Sequence, residues 1–119
     1  MNEKVLYAFN QAEQEKRLLL YLKKEKIASR KLLGQDKPKT LKELVEGKPS
    51  EGTFSLEQLP NLVILSEFSD ARLEAFLAAY KEYGLDRSAI KAVVTVHNVT
   101  WTLERLVKDC LKERQQFSR

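Results

Sequence analysis

The sequence predicts an α/β fold in which two related β-α-β-α halves share one small sheet covered by helices. Three observations point there. Short apolar, β-branched runs alternate with stretches of helical periodicity, an order that belongs to strand–helix–strand units. LVILSEF at 62–68 is almost continuously apolar, as a strand buried on both faces is. The chain also resembles itself. FNQAEQEKRLLLYLKKE from Phe9 aligns with FSDARLEAFLAAYKEYG from Phe68, bringing Phe9/Phe68, Ala12/Ala71, Glu15/Glu74, Leu18/Leu77 and Tyr21/Tyr80 into register 59 apart. TLKELV at Thr40 then aligns with TLERLV at Thr102, 62 apart, so three extra residues fall in between.

The first half, about 3–47, opens with KVLYAF (4–9) as a strand. Asn10 and Glu13 have the spacing of a capping box, and Leu18, Leu19, Tyr21 and Leu22 give the following helix its core side. SRKLLG (29–34) stands where the second half has KAVVTV; being short and basic, it suits an edge strand or a loop. Thr40 and Glu43 form a second capping box, ahead of Leu41, Leu44 and Val45. Residues 48–60, with Gly52, Pro49 and Pro60, read as a connector with one helical turn near Leu56–Leu59.

The second half, about 61–117, is the clearer copy. After the strand at 62–68, Ser69 is a suitable N-cap and Asp70 sits in the first helical turn, where a negative charge is favoured. Leu73, Phe76, Leu77 and Tyr80 follow at i, i+3, i+4 and i+7, and Gly84 stops the helix. IKAVVTV (90–96) is strand-like. Leu103, Leu106, Val107, Cys110 and Leu111 space as a last helical face. Each half alone is too small for a core of its own, so the 119 residues are expected to form a single domain.

The totals narrow the function. With 43% apolar and 32% charged residues the composition is that of a folded globular chain. No apolar run approaches the roughly 20 residues of a membrane span, and no membrane partner is expected. The charged start lacks the core of a signal peptide, and a lone Cys110 cannot form an intrachain disulfide, so a reducing cytoplasm is expected. One His, one Cys and four scattered Gly give neither a metal-ligand set nor a phosphate loop, so no cofactor is implied. The net charge of +4 lies in residues 1–50, which hold 12 Lys/Arg against 7 Asp/Glu. Lys23, Lys24, Arg30, Lys31, Lys37 and Lys39 are therefore the candidate nucleic-acid residues, although few aromatics accompany them for base stacking.

The chain's only Trp and only His meet in KAVVTVHNVTWTLERL (91–106), where a strand gives way to a helix. Parallel strand–helix–strand units bring strand C-terminal ends and helix N-termini to one sheet edge, the usual ligand position of open α/β sheets. Ser69, Asp70, Thr95, His97, Asn98 and Trp101 are the candidate residues for a small anionic ligand there, and Asn10 and Gln11 also follow a strand end. The same residues have a structural reading. Asn98 can take a left-handed backbone or bond its own main chain, and Thr100 or Thr102 can cap the helix. Trp101 can fold over the strand edge and bury about 150–250 Å². General acid–base work by His97 would need a nucleophile and an orienting acid, which the sequence does not place. Glu67, a charge at the end of an apolar strand, either faces solvent or pairs with Lys91; Asp86-Arg87 reads as a polar loop.

Lys91-Ala92, Thr95, Asn98 and Trp101-Thr102 follow a K-A-x-x-T-x-x-N-x-x-W-T pattern. With the apolar strand, EFSD and amphipathic helix upstream, they resemble the bacterial family known as domain of unknown function 3783, over about residues 61–113. The resemblance implies a bacterial source and no assigned activity. Where members of that family often have Pro or Thr, this chain has Val96 and His97, so the resemblance does not make His97 a shared catalytic group. The reading favoured overall is a small non-enzymatic protein acting through contacts with another protein or as a homodimer. An anionic-ligand or catalytic module at the strand ends, and a basic nucleic-acid surface, are its alternatives.

Overall fold

A computed structural model describes residues 3–48 and 59–117. Its elements are β1 (Lys4–Ala8), α1 (Ala12–Lys24), β2 (Ala28–Lys31), a 3₁₀ turn (Gly34–Asp36), α2 (Leu41–Val45), β3 (Leu62–Ser66), α3 (Asp70–Glu82), β4 (Ile90–Val93) and α4 (Leu103–Phe117). The strands form one mixed α/β sheet in the order β2-β1-β3-β4. Each outer strand runs parallel to its inner neighbour, as a strand–helix–strand unit demands, while β1 and β3 meet antiparallel, with Lys4 opposite Ser66 and Ala8 opposite Leu62. The C-terminal ends of β1/β2 and of β3/β4 therefore lie at opposite edges of the sheet. Asn10 and Gln11 are separated by this from Ser69, Thr95 and Asn98, with which the sequence grouped them.

Strand alternation sorts the core into two layers. Val5, Tyr7, Val63 and Leu65 face Leu18, Tyr21, Leu22, Phe76 and Tyr80 from α1 and α3. Leu6, Ala8, Leu62, Ile64 and Ile90 face Leu41 and Leu44 of α2 and Leu103, Leu106 and Val107 of α4. All five residues of β3 are buried, which explains the continuous apolar run; each fully buried Leu, Ile or Val contributes roughly 1.5–3 kcal/mol. Between α1 and α3, Tyr21 stands edge-on to Phe76 at 5.8 Å, and Arg72 bonds Glu3 at 2.8 Å and Glu25 at 3.1 Å.

Three expected boundaries shift. β3 ends at Ser66 because Glu67 turns left-handed (φ 60°), and it is solvent-facing; the Lys91 ammonium lies instead over the Tyr80 ring. β4 ends at Val93, since Asn98 takes over the backbone groups beyond it. The stretch at 29–34 is an edge strand over 28–31. The helical turn expected near 56–59 lies outside the described residues except for Leu59, which is buried.

Helix starts and stops follow local chemistry. Ser69 caps α3 by accepting from the Arg72 N–H (3.2 Å), and the Thr40–Glu43 capping box of α2 is complete. Asn10 caps nothing: α1 starts after Gln11, without a side-chain cap, and the Asn10 amide donates to the Leu59 carbonyl. α1 and α3 each close with a left-handed residue, Lys26 (φ 57°) and Gly84 (φ 66°). Ile27 N–H then reaches back to Leu22 O and Leu85 N–H to Tyr80 O. These stations lie 58 apart. The helix register is thus 58, and the identities aligned at 59 pair buried Leu18 with Leu77, which is 43% exposed. The segment between α3 and β4 carries the correspondence to 62, the spacing of Thr40 and Thr102, which form an isolated antiparallel bridge with each other.

Candidate functional site

Thr95 and Asn98 clamp the turn after β4. Asn98 Oδ1 accepts from Thr95 N–H (2.8 Å), Asn98 Nδ2 donates to Val93 O (3.0 Å), and Thr95 Oγ1 accepts from the backbones of His97 and Asn98. Asn98 does this without a left-handed backbone, an outcome of the two offered by the sequence. The turn after β2 is built alike: Asp36 Oδ2 accepts from Leu33 N–H at 2.9 Å, 62 positions earlier. Asp36 is fully buried and faces Arg30 (3.5 Å) and Lys39 (4.0 Å), which compensate its charge.

The starts of α2 and α4 cap each other. Leu41 N–H donates to Trp101 O and Lys42 N–H to Val99 O; in return Leu103 N–H donates to Lys39 O and Glu104 N–H to Lys37 O, all at 2.9–3.0 Å. Thr102 Oγ1 takes Arg105 N–H at 3.1 Å, so it is Thr102, not Thr100, that caps α4. A helix N-terminus attracts anions through its unsatisfied N–H groups. At α4 three successive donors are already used, so this end offers an anion little.

The proposed ligand residues are accordingly dispersed. Ser69 is spent as a cap, and Asp70 is exposed at the start of α3, on the other helical layer. His97 is exposed. Trp101 is half-buried against the α2/α4 core, with the Arg105 guanidinium 4.1 Å above its ring, a cation–π contact. Thr95 and Asn98 meet through their side chains, His97 and Trp101 join them only through backbone N–H groups, and the Asn98 amide is occupied by backbone.

What does open at this edge is a cleft of about 490 Å³ between α2 and the turn, lined by Lys42, Val45, Glu46, Ser66, Glu67, Val94, Thr95, Val96 and Val99. Four of these nine residues are valines, which make its apolar wall. Val96 is 86% exposed, the most exposed large apolar residue described, yet it sits in the turn that Thr95 and Asn98 hold rigid. Glu67, left-handed, lies on the rim. At the opposite sheet edge, the buried Leu59 joins the core of Ala8, Leu32 and Val107, beside the end of β1. Sequence reading singled out His97 and passed over Val96, since an apolar residue after a strand looks like more strand.

The candidate basic residues do not make one face. Arg30 also donates to Leu44 O, Lys31 pairs with Glu15 (3.3 Å), and Lys39 turns to Asp36; Lys23 and Lys24 are exposed at the end of α1. Asp86, read as plain loop, is a junction: Asn61 Nδ2 (2.8 Å) and Ser88 N–H and Oγ donate to its carboxylate, Gln14 accepts its N–H, and Tyr80 OH donates to its carbonyl. The Asn61 and Ser88 bonds hold its carboxyl below the ordinary range, while burial, with Asp86 adding, raises the Tyr80 hydroxyl. Among the described residues no group of acids, His and Cys has metal-site geometry, and no helix is long and apolar enough to cross a membrane.

Residues 61–117 match the family model described as Domain of unknown function (DUF3783), so the second half of the chain resembles that domain. No curated protein and no solved structure matches the chain.

Proposed function

We propose that the chain works through protein contacts, and that the valine-walled cleft beside β4 receives an apolar side chain from an extended segment of its partner. The observation that carries this is Val96, 86% exposed on a turn that four hydrogen bonds keep from collapsing. Leaving such a side chain in water forgoes roughly 1.5 kcal/mol or more that a partner recovers. The strained Glu67 at the rim supports the reading, since backbone strain gathers at binding positions. Leu59 supplies a likeness at the opposite edge: an apolar side chain, followed by Pro60, buried beside the end of β1.

The halves are read in the same proposal as one unit used twice. The Thr40–Thr102 bridge, the reciprocal caps and the Asp36/Asn98 correspondence support it. A reducing cytoplasm belongs with it, on the ground of the lone Cys110. Nucleic-acid binding has less support, because Arg30, Lys31 and Lys39 are engaged with acids. Selection of displayed peptides on the intact chain tests the cleft. Binders are expected to carry a large apolar residue and to lose affinity for Val96→Asp. Binders that hold the variant as well as the original would refute it.

A further inference from the structure

A small sheet meets other molecules at its edges, and the two edges of this one are treated differently. At β4 the Ile90 and Val94 N–H groups turn inward, to Asn61 O and Leu65 O. Backbone direction alternates along a strand, so the N–H and C=O groups of Val93 and Thr95 turn outward, towards the place of a fifth strand. Asn98 fills that place. Its Nδ2 donates to Val93 O at 3.0 Å, and its Oδ1 accepts from Thr95 N–H at 2.8 Å. One residue of a parallel neighbour, set opposite Val94, would make the same two bonds with its own N–H and C=O. The side-chain amide thus stands in for one residue of the next strand.

At β2 the stand-in is incomplete. Lys31 and Leu33 occupy the stations of Val93 and Thr95, since Tyr7 pairs with Lys31 as Leu65 pairs with Val93. Asp36 accepts from Leu33 N–H, but a carboxylate has no donor for Lys31 O. This edge carries Arg30 and Lys31 instead, and charge is a common guard on edge strands. The run Ala92-Val93-Val94-Thr95-Val96 holds no charge; Val93 is 38% exposed and Val96 86%. An uncharged, β-branched run without proline is prone to pair with copies of itself. A two-fold axis at Val93 would set Val93 against Val93 and Lys91 against Thr95, with no like charges opposed. The same axis at β2 would set Lys31 against Lys31. We infer that Asn98 guards the chain against self-association: its amide closes the β4 edge, and where the amide is removed, β4 of a second copy takes its place antiparallel about Val93.

Sedimentation of the intact chain, original beside Asn98→Ala, tests this. The original is expected to stay monomeric at about 100 µM. Asn98→Ala should dimerise roughly ten-fold more tightly or better, because pairing no longer has to displace an amide from each copy. Adding Val93→Lys, which copies Lys31 onto the apolar edge, should return that variant to monomer. Hydrogen exchange at the Val93 and Thr95 amides of Asn98→Ala should slow as its concentration rises. Asn98 also steadies the turn ahead of α4, so Asn98→Asp serves as a second variant. It keeps an acceptor for Thr95 N–H, as Asp36 does for Leu33, and loses the donor to Val93 O. Its dissociation constant should fall between those of the original and Asn98→Ala. Asn98 variants that associate no more tightly than the original, association that survives Val93→Lys, or exchange at Val93 and Thr95 that ignores concentration overturns the inference.

Discussion

Replacing Lys26 by Gly should stabilise the fold, and the size can be worked from the backbone. Lys26 follows α1 with φ 57°, the station that Gly84 holds after α3 with φ 66°. Its N–H reaches Lys23 O, and the next residue, Ile27, closes the helix onto Leu22 O and is buried. The conformation is therefore required, while the side chain is exposed. A residue with a Cβ pays about 1–2 kcal/mol in that region. Glycine removes this cost but gives back about 0.5–1 kcal/mol through its freer unfolded chain. The net expectation is a gain of about 0.5–1 kcal/mol, near 2–4 °C in melting temperature. Gly84→Ala is the mirror test and should lose a similar amount. Its new Cβ would come within 3.3 Å of the Arg17 guanidinium, which is the end of a flexible side chain, so conformation and not collision sets the loss. Urea unfolding of Lys26→Gly beside Lys26→Ala separates the backbone term from loss of the lysine. A Lys26→Gly midpoint at or below that of Lys26→Ala would refute the reasoning.

Asp36→Ala should cost about 2–3 kcal/mol in urea unfolding, because it strips Leu33 N–H, Arg30 and Lys39 of a buried acceptor. Asp36→Asn should cost clearly less, since Asn98 makes the same clamp 62 residues on. Thr40→Ala and Thr102→Ala should each cost about 1 kcal/mol; because the two residues bridge, the double variant should fall short of the sum by about 0.5 kcal/mol in a double-mutant cycle. Asp86 and Glu43 both have lowered carboxyl values in the folded chain, from the Asn61 and the Thr40 bonds respectively. Their contribution is thus present above about pH 4 and is lost as pH falls through the folded values, so unfolding followed from pH 6 to pH 2 should show stability declining at the acid end, less steeply in Asn61→Ala.

Much of the architecture was legible because it rests on local signals. β3 has no polar residue before Ser66, so its burial on both faces could be read directly; Ser69, Thr40 and Gly84 act within four residues of where they stand. What failed was decided at longer range. Leu77 completes a perfect i, i+4 pattern yet is exposed, because the neighbours of α3 in its layer leave that flank uncovered. Asn10 looked like a cap, but the Leu59 carbonyl and Asn61, about fifty residues away, take its side chain and its N–H. The same holds at the candidate site. Thr95 and Asn98 were found through spacing, and they do meet; the cleft needed α2, which only the fold brings beside β4. Asp36 escaped notice because its half-buried partners, Arg30 and Lys39, read as surface cations.

The reciprocal caps explain why the motif should take the form it does. A helix of five residues such as α2 has no stability of its own, and its first N–H groups are orphans wherever water cannot reach them. Here Trp101 and Val99 supply the acceptors for α2, while Lys39 and Lys37 supply them for α4. Each pair of carbonyls is held in place by the turn preceding it, through Asn98 in one case and Asp36 in the other. Asn98 therefore acts on two levels: it ends β4, and it aims the Val99–Trp101 backbone at a helix from the other half. Thr102 receives its own cap bond and sits opposite Thr40. On this account the asparagine, tryptophan and threonine of the motif keep a spacing of three and one because the backbone between them is a capping device. The polar groups at this corner are consumed in joining the two parts of the chain, and what the turn leaves exposed is apolar, Val96 and the cleft beside it.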